Sequence, residues 1–194
     1  MHRTPSLRRT LFASLVVLAS AGPVAAQTAT RMEKDLLGEK AVPAGAYYGV
    51  QTARAIENFP ISGVSIGHYP EFVDALVLVK IAAARANAEA GVLSKAQLDA
   101  IEKGGRAILA GKHRDQFPVD WYQGGAGTSA NMNVNEVMAN VALEMLGRPK
   151  GDYATIDPHD DLNGGQSTND VIPTALKVAF VMRNDRLVED VREL

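Results

Sequence analysis

Between Pro70 and Gly147 the chain reads as three helical stretches, each closed by a glycine, with no internal repeat. Phe72, Ala75, Leu76, Val79, Ala82, Ala83 and Ala86 line one face of a predicted helix that Gly91 ends. Ser94 opens a second, with Leu98, Ile101, Ala107, Ile108 and Leu109 apolar, a weak point at Gly104-Gly105 and a stop at Gly111. The third is predicted from about Ser129 to Leu146 and closes at Gly147. A fourth begins near Ser167 and runs towards Leu194, with Pro173 in its first turns, where proline is best tolerated. Upstream, Gly38, Pro43, Gly45 and Gly49 break up Met32 to Gln51, so that stretch is predicted as loops with a short strand pair. The pattern predicts a mainly α fold with short irregular or β segments near its start.

Composition narrows the function classes. At 46% apolar the chain can fill a core, which excludes a disordered segment. Lys plus Arg number 20 against 22 Asp plus Glu, without the basic excess that marks a nucleic-acid partner. The absence of cysteine excludes disulfides, thiolate metal sites and a Cys nucleophile.

Residues 1–26 read as an export signal. His2, Arg3, Arg8 and Arg9 precede an apolar run from Leu11 to Ala21, and Val24 and Ala26 supply the small residues of a cleavage site. The run is too short to anchor the chain in a bilayer, which takes roughly 20 residues. Arg8-Arg9-Thr10-Leu11-Phe12 also has the look of a twin-arginine signal, so both Sec and twin-arginine export are open. The segment holds three basic residues and no acid, so the 168 residues that follow carry a net charge of −5. The expectation is an acidic, soluble body in the periplasm or outside the cell.

Two helix starts carry candidate chemistry. Gly124-Gly125-Ala126-Gly127 is followed by Thr128, Ser129, Ala130 and Asn131. Glycines let a backbone approach a ligand closely, and a helix N-terminus offers free N–H groups to an anion. A phosphate-binding loop would need a Lys-Ser/Thr pair after the glycines, and a dinucleotide fingerprint a third spaced glycine; neither is present. The second start, Gly164-Gly165-Gln166-Ser167-Thr168-Asn169-Asp170, offers more hydrogen-bonding side chains than capping requires. An ordinary Thr or Ser cap explains each start singly; together they could hold the two ends of a small dicarboxylate.

Other motifs carry less. Gly63-Val64-Ser65-Ile66-Gly67 matches a nucleophile-elbow string, but the residues after it read as loop. His159, Asp161, Asn163, Gly164 and Asp170 shadow a calcium loop with the wrong first and last ligands. His113 sits in a charged run expected on a solvated face, and Trp121 and Tyr122 belong either to the core or to a site wall.

Taken together, these stretches resemble the aspartase/fumarase superfamily, and within it the aspartate ammonia-lyases. The resemblance rests on Glu33 to Gly38, Ala46 to Thr52, Arg54 to Ile61, Asp115 to Asp120, Gln123 to Val137 and Gln166 to Asp170, in the family's order and spacing over residues 31–185. Tyr47-Tyr48-Gly49-Val50 and Gly124-Gly125-Ala126-Gly127-Thr128-Ser129 look like the aspartase version, whereas class II fumarases tend to differ at both places.

That resemblance implies reversible elimination of ammonia from L-aspartate to give fumarate, with no cofactor required; some relatives respond to divalent metal. It implies that Thr128 contacts substrate and that Ser167, Thr168 and Asn169 bind its carboxylate or amino end. It carries over nothing catalytic for the Asp157-Pro158-His159-Asp160 turn, which matches a second anion site of fumarases with different residues. The family's catalytic Ser, in a Gly-Ser-Ser-x-Met-Pro loop, and the central helix bundle of its homotetramer are expected beyond Leu194. The implied layout is an export signal over 1–26, an N-terminal lyase domain over 27–166 and the start of the central helical domain over 167–194. These 194 residues alone are therefore expected to lack lyase activity. The rival readings are a class II fumarate hydratase or other superfamily lyase, and a non-catalytic exported fragment or binding module.

Overall fold

The computed structural model describes residues 29–194, so the predicted export segment lies outside the described residues. The described part opens with an antiparallel hairpin, β1 (Thr30–Asp35) and β2 (Gly38–Pro43), in register from Thr30 opposite Pro43 to Asp35 opposite Gly38. Asp35 closes the turn by accepting from the Leu37 N–H at 2.8 Å, and Gly38 takes the positive φ of 111° that the turn needs. The predicted strand pair is thus present.

Five helices follow: α1 (Val50–Asn58), α2 (Pro70–Glu89), α3 (Lys95–Leu109), α4 (Thr128–Met145) and α5 (Thr168–Arg192). Four of them match the predicted helices closely. Pro70 opens α2 where its missing N–H costs nothing, and Gly91 ends the run at φ 76°. Ser94 and Gln97 form a reciprocal capping box on α3. The Gly104-Gly105 pair is a contact surface. A Cβ on Gly104 would stand 3.0 Å from Val141 Cγ1, and one on Gly105 2.8 Å from Ile81 Cδ1, so α3 lies close against α4 and α2.

The sequence pattern carries no local signal for α1. Its N-cap is Gly49, without a side-chain cap. The cap comes from far along the chain instead. Glu136 accepts from the N–H groups of Gly49, Gln51 and Thr52 at 2.8, 2.8 and 3.0 Å, and Glu33 accepts from Val50 at 2.9 Å.

Helix α4 is the axle of the domain. Every residue from Ala130 to Leu143 is buried, with α2, α3 and α5 packed around it. Leu76, Ile101, Ile108, Phe117, Val134, Met138, Val141 and Ile156 form the core, and each fully buried aliphatic side chain contributes roughly 1.5–3 kcal/mol. The polar residues of α4 fasten loops to it. Asn133 donates to Gln116 O at 3.0 Å, while Asn140 donates to Tyr47 O at 2.8 Å and accepts from Gly151 at 2.8 Å. From Phe180 onward α5 is exposed, with Phe180, Val181, Leu187 and Val191 bare, and Arg183 ties it to Glu71 of α2 at 3.0 Å. Among the described residues, no helix is long and apolar enough to cross a membrane.

Candidate functional site

The start of α4 is built by glycines. Gly127 holds the N-cap position at φ 92° and no side chain caps the helix, so the expected Thr or Ser cap is not formed. Thr128 and Ser129 are instead the first two helical residues, with N–H groups ahead of the helical ladder. The Ala130 N–H is taken by Gln123 Oε1 at 2.7 Å, and Asn131 N–H by Gly127 O at 3.0 Å. Any side chain at Gly124 or Gly127 would collide: the added Cβ would stand 2.7 Å from Phe59 Cζ in one case and 2.8 Å from Ile172 Cγ1 in the other. The loop is pressed flat, and the Thr128 side chain is left exposed.

At the start of α5 Ser167 is the N-cap, in a reciprocal box with Asp170. The Asp170 N–H donates to Ser167 Oγ at 3.1 Å, and the Ser167 N–H and hydroxyl donate back to Asp170 Oδ2 at 2.8 and 2.9 Å. Those bonds hold the Asp170 carboxyl below the usual range. The Ser167 hydroxyl is therefore engaged in capping, while Asn169 is exposed and Thr168 half-buried. Capping accounts for one of the three polar side chains here.

Two contacts join the helix starts. Gly127 packs on Ile172 of α5, and Asn131 Nδ2 on the first turn of α4 lies 3.4 Å from Thr168 Oγ1. These contacts set the start of α4, which carries Thr128, against the start of α5, which carries Ser167, Thr168 and Asn169, and the partial positive charges of two helix N-termini favour an anion there. Beside it opens a cavity of about 260 Å³ walled by Trp121, Tyr122, Gln123, the glycine loop, Ile172 and Leu176. Trp121 packs on the core at the ring of Phe72 and Tyr122 is largely exposed, so both are wall residues of this cavity.

Under the junction stands a residue the sequence reading missed. Lys80 of α2 is fully buried, and its Nζ donates to Asn163 Oδ1 at 2.8 Å and Gln166 Oε1 at 3.0 Å. Burial pulls its pKa down to about 7. Asn163 Oδ1 also accepts from Asn131 Nδ2 at 3.0 Å, and Asn163 Nδ2 donates to Gln166 O at 2.9 Å. The available signal was position: Lys80 follows Phe72 and Leu76 at four-residue steps on the buried face of α2.

The remaining motifs resolve into structure. Ser65 is extended and precedes a single 3-10 turn over Ile66–His68, which is not the strand-turn-helix of a nucleophile elbow. Asp157 Oδ1 accepts from the N–H groups of His159 and Asp160, and Asp161 Oδ2 accepts from Asp157 N–H, so the apparent calcium loop is a self-closed turn. Among the described residues, no group of three His, Cys, Asp or Glu is placed to hold a metal ion. His113 departs from expectation. It is half-buried with a left-handed backbone (φ 58°), its ring 4.1 Å from that of Tyr47, because the turn after Gly111 folds it back onto the Tyr47-Tyr48 segment.

Comparison with known proteins decides the family. The family model described as Lyase matches residues 38–194. The chain belongs to the aspartase/fumarase superfamily of lyases. It is 51% identical over 164 residues to an aspartate ammonia-lyase of Pseudomonas canavaninivorans, covering 84% of this chain and 35% of the relative. A class II fumarate hydratase of Halobacterium salinarum is 54% identical over 162 residues, covering 84% and 33%. Among solved structures, the fumarate lyase:delta crystallin of Brucella melitensis in native form superposes with a TM-score of 0.80 at 52% identity, covering 81% of this chain and 36% of that one. The chain spans about a third of the length of the curated relatives it matches.

Proposed function

We propose that the intact protein is an aspartate ammonia-lyase, and that residues 29–194 supply the part of its site that grips the substrate. The observation that carries this reading is the junction of the α4 and α5 starts, with Thr128, Thr168 and Asn169 at its surface and Ser167 holding the second start in shape. Removing the Cβ proton next to a carboxylate builds a second negative charge on that carboxylate. Donors already aimed at an anion stabilise it where it forms. Thr128 and the leading N–H groups of α4 take one carboxylate in this scheme; Thr168 and Asn169 take the other or the amino end. The base is assigned to the superfamily's Ser loop beyond Leu194. The bare apolar face of α5 from Phe180 to Val191 is assigned to the central bundle of a homotetramer.

A class II fumarate hydratase is the second reading, supported by the similarity to the Halobacterium salinarum protein at 54% identity. The two differ in leaving group, so the test is to incubate the intact protein with L-aspartate and, separately, with L-malate. Ammonia and fumarate in equal amounts from aspartate support the lyase reading; fumarate from malate alone supports the hydratase. Export belongs to the same proposal. Arg8→Lys with Arg9→Lys blocks delivery if the twin-arginine route is used, and unchanged periplasmic delivery assigns the signal to the Sec route.

A further inference from the structure

We infer that Lys80 is a positioning residue of the dicarboxylate site, a buried amine without a carboxylate partner that makes the junction of α4 and α5 prefer a dianion over a monoanion. The inference rests on the reading of that junction as a dicarboxylate site.

Lys80 is fully buried, yet both of its partners are neutral amides, Asn163 Oδ1 and Gln166 Oε1. Among the described residues no carboxylate pairs with it. Asp161, the nearest acid in sequence to Asn163, is turned to the Asp157 N–H and the Gln97 amide. Burying a charge without a counter-charge is costly, and such a group is paired or gives up its proton more readily, as Lys80 does. A dianion bound at the junction favours the protonated lysine that burial alone disfavours.

The network leads from Lys80 to the junction in two directions. Through Gln166 it reaches the residue that precedes the Ser167 cap, and Gln166 Nε2 fastens the turn to Leu162 O at 3.1 Å. Through Asn163 it reaches Asn131, whose Nδ2 is shared between Asn163 Oδ1 and Thr168 Oγ1. Asn131 is 2% exposed and its Oδ1 has no partner among the described residues, so one polar atom at the junction is also unspent. Asn87 Nδ2 holds Gly164 O at 2.9 Å, fixing the turn to α2 from a second point. Lys80 is thus not needed merely to pin the loop. Its charge adds to the positive ends of two helices, and a second carboxylate on the ligand gains from all three.

The test uses the intact protein and calorimetric titration with fumarate, which has two carboxylates, and crotonate, which has one. In Lys80→Met fumarate affinity is expected to fall about tenfold or more, with crotonate affinity nearly unchanged. For the elimination itself the loss is expected in KM, with kcat largely kept. Equal losses for both ligands, or none, would overturn the inference and leave Lys80 a structural brace. Should Lys80→Met fail to fold, Asn163→Asp decides. It puts the missing counter-charge at the Lys80 acceptor at the loss of the Asn163 Nδ2 bond to Gln166 O, so in a variant that melts as a folded protein the preference for fumarate is expected to collapse, and an unchanged preference overturns the inference. A Lys80-dependent preference for fumarate without any elimination from aspartate would sink the proposed reaction and leave the inference standing. A protein that binds neither ligand ends both.

Discussion

Glu136, in the middle of α4, accepts a hydrogen bond at 2.8 Å from the backbone N–H of Gly49, the residue that starts α1. One buried carboxylate thereby caps a helix 87 residues away in sequence, and glycine is required at position 49 for lack of space rather than for backbone freedom. Its φ is −116°, but a Cβ there would meet Glu33 Oε2 at 2.6 Å, Tyr153 Oη at 2.7 Å and Glu136 Oε1 at 2.8 Å. Gly49→Ala is expected to cost about 1–3 kcal/mol by overpacking. Glu136→Gln, which turns a donor towards the N–H groups, is expected to cost about 1–3 kcal/mol. Denaturant midpoints of the two variants check this, and a wild-type midpoint in either would refute the cap.

Gly127 is held for both reasons at once, since its φ is 92° and its Cβ position abuts Ile172. Gly127→Ala is expected to displace the start of α4 from that of α5. A rise in KM larger than the loss of thermal stability explains is the expected signature. The double variant Gly127→Ala/Ile172→Val, which clears part of the space, should recover some of it.

Among the described residues Thr128 Oγ1 has no hydrogen-bond partner, and Thr168 Oγ1 accepts one long bond from Asn131 Nδ2 at 3.4 Å. Thr128→Val and Thr168→Val keep shape and are expected to leave the melting temperature within a few degrees while lowering kcat/KM. A lost hydrogen bond to a charged group accounts for about 1.5–3 kcal/mol, or roughly ten- to hundredfold. Ser167→Ala should behave differently, losing about 1 kcal/mol of stability through its cap. Equal profiles for all three would argue against the division between capping and binding.

Asp120 gives a pH dependence. Burial pulls its carboxyl up, but hydrogen bonds from the Ser62 hydroxyl and the N–H groups of Tyr122, Ser62 and Gly63 outweigh it and hold the pKa at about 2. A carboxyl lower in the folded than in the unfolded chain stabilises fully above its ordinary value of 3.8, and the gain is lost as pH falls towards about 2. Denaturation midpoints should therefore fall across that window in the wild type and less steeply in Asp120→Asn. Parallel curves would refute the assignment.

The helices α2 to α5 were legible because their signals are local: Pro70, the Ser94 and Ser167 boxes, and glycines at the stops. Helix α1 was not, because its cap arrives from Glu33 and Glu136. The same holds at the site. Thr128 and the Ser167–Asn169 run announce themselves as polar residues at helix starts, whereas Lys80 acts through Asn163 and Gln166, 83 and 86 residues away. A buried lysine in an apolar run looks like a surface position until the helix is set against its neighbours. His113 was misread for a related reason, since only the fold brings Tyr47 to it.

In the proposed site the starts of α4 and α5 together hold one dicarboxylate. A crystal structure of the intact protein with fumarate bound tests it directly. One carboxylate is expected at Thr128 and the leading N–H groups of α4, and the other at Thr168 and Asn169. Fumarate bound elsewhere, with both helix starts empty at saturating ligand, would contradict it.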